Sequence, residues 1–356
     1  MQKKVVNADK KNSNAYETKT LSKIVTSLDV ARIAGVSQTS VSRVFNPQSS
    51  RVVGQETRDK ITKVASELGY RPNIIARSMV SRKIGIVGIV VGSPIGPFTN
   101  KTIFSLLTNF QKKGLQCLIF TVERGQNMTT IFERVLQYQV DGIVITAAAL
   151  SEEMDNLFIE NNTPVILFNR VVPGSNASSI YCDNIKAGRA VGKLFGDIGF
   201  KRIAHVTYEK DATSAVERKM GFYGMLREYG ISNIKEYRSD FTYEAGRKVG
   251  MQILNENNIP DAVFCASDLI AMGIMDVARY EFGLKIPEDI SIVGFDDIDM
   301  ASWPSYDLTT VRQPIDLLVN NTIDAMIQLI TNKTKDPIFK TIDTLLIERG
   351  STIGIK

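Results

Sequence analysis

Two sets of side chains in this sequence have the types and spacing for recognition chemistry. The first lies in the run GVSQTSVSRVFN, Gly35–Asn46. As a helix, this run places Val41, Val44 and Phe45 on one face at i, i+3, i+4, where they pack inward. The opposite face then carries Gln38, Thr39, Ser42, Arg43 and Asn46, side chains of the kinds that reach base edges and phosphates. Ser37 is placed to cap the helix, turning its amide end outward as a phosphate site. Asn46-Pro47 stops it.

The second set follows apolar, strand-like runs. Phe98 sits in the Gly/Pro loop SPIGPFT after Ile84–Val91. Asn169 and Arg170 follow Pro164–Phe168, and Asp183 and Asn184 follow Ser179–Cys182. Ser214 and Arg218 open the helical pattern after Arg202–Thr207. Asp240 and Phe241 follow a further strand, Ser267 and Asp268 follow Asp261–Cys265, and Asp296 and Asp297 follow Ile290–Gly294. Aromatic, amide, Arg and Asp groups gathered at strand ends suit a polyhydroxylated ligand. Rings cover its C–H surface while Arg and Asp take paired hydroxyls or a carboxylate. Asp268 reads as the cap of its own helix.

Catalytic constellations do not emerge. His205 is the single histidine and falls inside a strand pattern, where a core or edge position is expected. No nucleophile elbow, Walker loop or metal-ligand spacing is present, and Gly85, Gly88 and Gly92 do not make a dinucleotide fingerprint. An enzyme is therefore disfavoured, and neither a cofactor nor a metal is expected.

The elements that must hold the first set are short helices. Thr26 and Asp29 have capping-box spacing, Val30, Ala31 and Ala34 give an apolar stripe, and Gly35 tolerates the left-handed turn that ends the helix. A third helix is expected over Gln55–Leu68, with Ile61, Val64, Ala65 and Leu68 inward. Beyond it, GYRPNIIARSMVSRK gives one more short, basic helix begun by Asn73.

From Ile84 onward short apolar strands alternate with helical patterns such as Thr99–Lys113, Ile185–Asp197, Ser214–Tyr229, Tyr243–Asn255 and Leu269–Phe282. This alternation means parallel sheets covered on both faces. So many units exceed one compact sheet, so two α/β subdomains are expected. Ligands of open parallel sheets bind outside the carboxyl ends of the strands, where the second set lies.

A chain of 356 residues has room for two or three domains, and 44% hydrophobic with 23% charged residues is ordinary for a globular protein. The charge is unevenly spread. Residues 1–83 hold 16 Lys+Arg against 6 Asp+Glu, a net of +10, while the remainder holds 27 against 32, a net of −5. A basic head on a mildly acidic body confines nucleic-acid binding to one end. Residues 1–25 are polar and Lys-rich, and are expected to be a disordered basic extension. Cys117, Cys182 and Cys265 read as free, buried thiols of a reducing compartment. No run reaches membrane-span length and no signal-peptide core is present, so a cytoplasmic location is expected.

DVARIAGVSQTSVSRVFN, ETRDKI and GYRPNIIARSM together resemble the DNA-binding headpiece and hinge helix of the LacI/GalR family of bacterial transcription repressors. ASDLIAMG, IPEDISIVGFDD, LTTVRQP and LIERGST resemble that family's effector domain. The resemblance runs from about Thr26 to the C-terminus. It implies an α/β chain with an N-terminal helix-turn-helix headpiece (26–72) and a hinge helix (73–83). A two-subdomain, periplasmic-binding-protein-like (type I) effector and dimerisation domain (84–356) follows. Its N-subdomain is placed at about 84–182 plus 312–334, and its C-subdomain at about 183–311 plus 335–356.

By that resemblance Gln38, Thr39 and Arg43 read bases in the major groove, and Thr26, Ser37, Ser40, Ser42 and Asn46 lie near phosphates. Ala76 and Met79 belong to the minor-groove hinge, Met79 standing where relatives carry a wedging Leu. Arg218 and Asp296 match effector-contacting positions, and Phe98, Asn169, Arg170, Ser214, Phe241 and Ser267 match less strictly. An Asn common at the Ser267 position is absent. Two further departures are a loop at Pro47–Val53 about two residues longer than usual, and Gly54 where a Ser normally caps the third helix. The implied function is a sequence-specific repressor. Its affinity for a pseudo-palindromic double-stranded operator is set allosterically by a small metabolite, a sugar or sugar acid, and a homodimer is expected. A solute-binding transport component shares the body's fold, but residues 1–83 argue against it.

Overall fold

The structure is a computed structural model that describes residues 25–45, 53–71, 84–93, 95–123, 126–146, 159–208, 213–334 and 336–353. The chain divides into two compact units, residues 1–82 and 83–356.

In the first unit, α1 (Ser27–Ala34), α2 (Gln38–Val44) and α3 (Gln55–Glu67) surround one small core. Thr26 and Asp29 cap α1 reciprocally. The Asp29 N–H donates to Thr26 Oγ1 (3.3 Å) and the Thr26 N–H to Asp29 Oδ2 (3.0 Å). Gly35 ends α1 at φ 61°, a conformation that costs a Cβ-bearing residue energy. Val30, Ala31, Ala34, Val41, Ile61 and Ala65 are buried together, and Val44 and Phe45 pack on them, as the helical periodicity requires. Phe45 meets Tyr70 edge to face at 5.6 Å. Gly54 gives α3 no side-chain cap. The hinge-helix reading (73–83, with Ala76 and Met79), the loop departure, Asn46 and the extension up to residue 24 lie outside the described residues.

The second unit contains two six-stranded sheets. The first takes β1 (Ile86–Gly92), β2 (Gln116–Val122), β3 (Gly142–Ile145), β4 (Val165–Phe168), β5 (Ser178–Cys182) and β11 (Phe339–Ile342), in the order β11-β5-β4-β3-β1-β2, all pairs parallel. The second takes β6 (Ile203–Tyr208), β7 (Ile234–Ser239), β8 (Ala262–Cys265), β9 (Ser291–Asp296), β10 (Thr309–Arg312) and β12 (Leu345–Ile347). Its order is β12-β10-β9-β8-β6-β7, with only β12 antiparallel.

Central strands such as β3, β4 and β8 are buried along their whole length, as apolar runs covered on both faces must be. On the first sheet, α4 (Pro97–Lys112) and α10 (Ile315–Ile330) cover one face and α5 (Met128–Gln137) the other. On the second, α8 (Tyr243–Leu254) and α9 (Asp268–Tyr280) cover one face, and α6 (Asn184–Ile198) and α7 (Thr213–Glu228) the other. In each sheet the first strand of its run, β1 or β6, lies between the next two. Connections leaving it and its neighbour diverge there, opening a crevice at the carboxyl ends.

Several sequence expectations shift. Pro97 opens α4, so Phe98 stands in a helical first turn and not in a loop. The return to the second subdomain expected at residue 335 comes later. Phe339–Ile342 still pairs with β5 of the first sheet, and Leu345 is the first residue of the segment to pair with the second. The chain therefore crosses at about Asp343–Thr344. β10, β11 and β12 carried no apolar-run signal, because two of them are exposed edges and TTVR is short and polar. Cys182 and Cys265 are buried, but Cys117 is only half-buried. Burial pushes the Cys117 thiol up to about 11 and Cys182 up to about 12.

Candidate functional site

In the first unit the Ser37 hydroxyl accepts the Ser40 N–H (3.1 Å) and sits 2.9 Å from the Ser40 hydroxyl, fixing the first turn of α2. Val41 is buried, which orients the rest of the helix. Thr26, Ser37, Gln38, Thr39 and Ser42 are exposed, while Arg43 and Ser40 are half-exposed. Gln38 Nε2 donates to Ser27 Oγ at 3.0 Å, so one base-reading candidate is braced by α1. Apart from Thr26, which caps α1, the described candidates share α2 and its entry.

In the second unit the candidates stand at the carboxyl ends of six strands: β1, β4, β6, β7, β8 and β9. Their centre is Arg218, on the inner face of α7 and 6% exposed. It reaches this depth because α6 and α7 touch backbone to backbone. A Cβ on Gly188 would stand 2.1 Å from the Arg218 carbonyl, and one on Gly221 2.0 Å from that of Ile185. Arg218 Nε donates to Asn184 Oδ1 (3.0 Å) and Nη1 to the Ala266 carbonyl (3.0 Å). Its guanidinium lies 3.5 Å from the centre of the Phe295 ring. Burial pulls the Arg218 pKa down, and the nearby Asp296 charge opposes this.

Asp296 ends β9 at φ 120°, a conformation rare for a residue with a Cβ. Burial pushes its carboxyl up to about 7, against the pull of Arg218 and of a hydrogen bond from Gln313. Gln313, 3% exposed in the crossover after β10, ties the two sheets together. Its Nε2 donates to Asp296 Oδ1 (2.5 Å) and its Oε1 accepts from Asn169 Nδ2 (2.6 Å). Asn169, at φ 58°, also accepts the Cys182 N–H (3.3 Å). Arg170 Nη2 donates to the Thr146 carbonyl (3.2 Å), and burial lowers its pKa. Phe241, 39% exposed, stacks on Tyr208 at 4.4 Å and 18°. Phe98, borne by the first sheet's α4, packs against the second sheet's core. Ser214 is half-buried in the first turn of α7.

Ser267 is the N-cap of α9 and accepts the Ile270 N–H (3.4 Å). Asp268, expected to be that cap, is fully buried and accepts from the Ile298 N–H (2.8 Å) and the Thr310 hydroxyl (2.5 Å). Its carboxylate binds the β9–β10 end together. Asp297 does similar work, held by Arg312 (2.5 Å) and Arg349 (2.7 Å). Asp183 caps α6, and His205 is a core residue stacked on Phe264 at 5.3 Å, with burial lowering its pKa to about 4.

Gln313 and Tyr208 were not singled out from sequence. Gln313 lies in a crossover with no periodic pattern, and Tyr208 extends a strand whose expected end was Thr207. The arrangement offers a cationic fork, a carboxyl that can accept hydroxyl donors, amides and an aromatic face. That is the equipment for holding a polar small molecule, and among the described residues it includes no nucleophile–base pair.

Comparison with known proteins agrees. Residues 26–73 match the family described as "Bacterial regulatory proteins, lacI family", and residues 194–352 match "Periplasmic binding protein-like domain". The HTH-type transcriptional repressor CytR of Escherichia coli (strain K12) is 30% identical, covering 91% of this chain and 95% of CytR. The crystal structure of the Lac repressor dimer bound to operator and the anti-inducer ONPF aligns with a TM-score of 0.83 at 28% identity, covering 93% of this chain and all of that one. The transcriptional regulator CelR–cellobiose complex aligns with a TM-score of 0.67 at 28% identity, over 92% and 99% of the two chains. With its helix-turn-helix, its paired parallel sheets and relatives aligned over nearly their whole length, the chain belongs to the LacI family of bacterial regulatory proteins and is a DNA-binding transcriptional regulator.

Proposed function

We propose that this regulator is a sugar-responsive repressor, acting as a homodimer in the cytoplasm. A sugar or sugar acid is taken between the two sheets of residues 83–356. The observation that carries this reading is the group of buried Arg218 and Gln313 with half-buried Asp296 at converging strand ends, together with the Phe241–Tyr208 stack. Asp296 is an acceptor whose ionised form is poorly solvated. Ligand hydroxyls donating to it supply the missing solvation, while Arg218 holds a hydroxyl pair or a carboxylate. Phe98, Asn169, Arg170, Ser214 and Ser267 line or brace the same cleft. The cellobiose bound by CelR supports the ligand class. The proposal assigns no cofactor, since the effector acts by binding alone.

At the other end, Gln38, Thr39 and Arg43 read bases. Thr26, Ser37, Ser40, Ser42 and Asn46 hold phosphates, and Ala76 and Met79 enter the minor groove at the centre of a pseudo-palindrome. The working division is a headpiece over 26–72, a hinge over 73–83 and an effector domain beyond. A ligand that prefers one inter-subdomain angle by about 1–3 kcal/mol switches the operator affinity.

The test is thermal unfolding of the full chain against a panel of cellobiose, other sugars, sugar acids and nucleosides, followed by operator titration with each hit. A sugar at a hundred times its dissociation constant adds about 2.7 kcal/mol and raises the midpoint by several degrees. A panel in which only nucleosides act, or nothing acts, overturns the sugar assignment.

A further inference from the structure

We propose that Gln313 is a positioning residue. A one-way chain of amides, begun by the Cys182 N–H, turns its side-chain nitrogen toward Asp296 and so fixes that carboxyl as a hydrogen-bond acceptor. What this means for an effector rests on the reading above, that a ligand meets Asp296. The chain itself does not.

The sense of the chain follows from its first link. A backbone N–H only donates, so the Asn169 side-chain oxygen must face Cys182, at 3.3 Å. The nitrogen of the same amide then faces Gln313 and donates to Oε1 at 2.6 Å. With its oxygen occupied, Gln313 turns Nε2 to Asp296 and donates to Oδ1 at 2.5 Å. Flipping either amide would set oxygen against oxygen and N–H against N–H.

The backbone holds both ends of the chain. Asn169 directly follows β4, and its side chain takes the Cys182 N–H just beyond the last β4–β5 pair, Phe168 with Ile180. Asn169 stands at φ 58° and Asp296 at φ 120°, conformations that residues with a Cβ rarely adopt, and both side chains meet one amide. Gln313 is 3% exposed, so that amide depends on these two partners. Asp296 Oδ1 takes the bond from Gln313, and Oδ2 takes none from the described residues. Oδ2 is the oxygen left for a ligand, and it requires a donor. A hydroxyl fits it, whereas an ether oxygen or a fluorine in the same place sets acceptor against acceptor.

The charged surroundings of Asp296 are divided. Arg218 from α7 favours its ionised form, while Asp268 from α9, Asp297 next in the chain and the Cys182 thiol at the end of β5 bear, or on ionising acquire, the same sign. Burial pushes the carboxyl up to about 7 against only two opposing contacts, Arg218 and the Gln313 amide. Removing the amide therefore leaves the carboxyl protonated at neutral pH, a donor where the cleft had an acceptor.

The test is the titration of the Asp296 carboxyl in the full chain without ligand, followed by carbon NMR of carboxyl-labelled aspartate and assigned with Asp296→Asn. Gln313→Met keeps the length of the side chain and removes its donor. Asn169→Gly suits the φ of 58° and removes the link that holds the amide. Melting curves confirm that each variant folds. The expected result is a rise of about one to two units in Gln313→Met, since a hydrogen bond to the charged form is lost. Asn169→Gly should give a smaller rise, since Gln313 still donates but is no longer held. A titration that stays put or falls in either folded variant overturns the proposal. The expected shifts in a protein that answers to no sugar would leave the amide chain standing and overturn the effector reading alone.

Discussion

In the helix-turn-helix the recognition side chains come chiefly from one seven-residue helix and stand in or near solvent. In the proposed ligand cleft they come from the ends of six strands, and all but Phe241 are buried or half-buried. Each arrangement follows from its target. A DNA groove comes to the protein from outside, so its readers need only a buried stripe such as Val41 to orient them. A small ligand must be surrounded, so its contacts are drawn from distant parts of the chain and braced by one another, as Arg218 is by Asn184, Ala266 and Phe295. The first kind of site fails one side chain at a time, and the second as a unit.

The contrast can be broken most forcefully at Arg218. Arg218→Ala removes a buried charge and leaves the Asn184 amide oxygen and the Ala266 carbonyl without their donor, which costs about 2–5 kcal/mol of stability in the 83–356 unit. A denaturant titration checks this, and an unchanged midpoint would mean the cleft is not a cooperative unit. Asp296→Ala spares the fold more. It should remove about 1.5–3 kcal/mol of sugar affinity, measured by calorimetry, with operator affinity retained. A full ligand response in that variant moves the pocket elsewhere.

On the exposed side, Arg43→Ala should cost about 1–3 kcal/mol in operator binding and relax sequence preference while the melting temperature stays put. A binding selection that returns the parental sequence preference removes Arg43 from base reading. The pH dependence separates the two sites again. A ligand that donates to Asp296 needs the carboxylate, and the free protein's carboxyl ionises only near about 7. Sugar affinity should therefore rise roughly tenfold from about pH 6 to about pH 8 and then level off, the proton being released on binding. Affinity flat across that window would show that Asp296 does not accept from the ligand. The smallest effect is Ser37→Ala, which loses the cap of α2 and about 1 kcal/mol of headpiece stability, seen in the first unit's unfolding alone. A loss shared by the second unit would contradict the independence of the two regions.

The helices of the first unit that the structure describes were legible in sequence. Capping boxes, left-handed glycines and three- to four-residue apolar steps act over a single helical turn, so Thr26, Gly35, Ser37 and Val41 sit where the local pattern places them. The second unit was legible as a class, because apolar runs alternating with amphipathic helices admit few architectures. Its details were not. That Asp268 is a buried brace and not a cap depends on the Ile298 amide and the Thr310 hydroxyl arriving from elsewhere in the chain. Gln313 gains its place only because the crossover passes between Asn169 and Asp296. β11 stays with the first sheet because the edge of β5 offers it unpaired backbone groups. The sequence by itself determined the helices, the buried strands and the side-chain types available at strand ends. Tertiary structure alone decided which of those side chains meet, because hydrogen-bond partners 17 to 144 residues apart leave no periodic trace in the chain that brings them together.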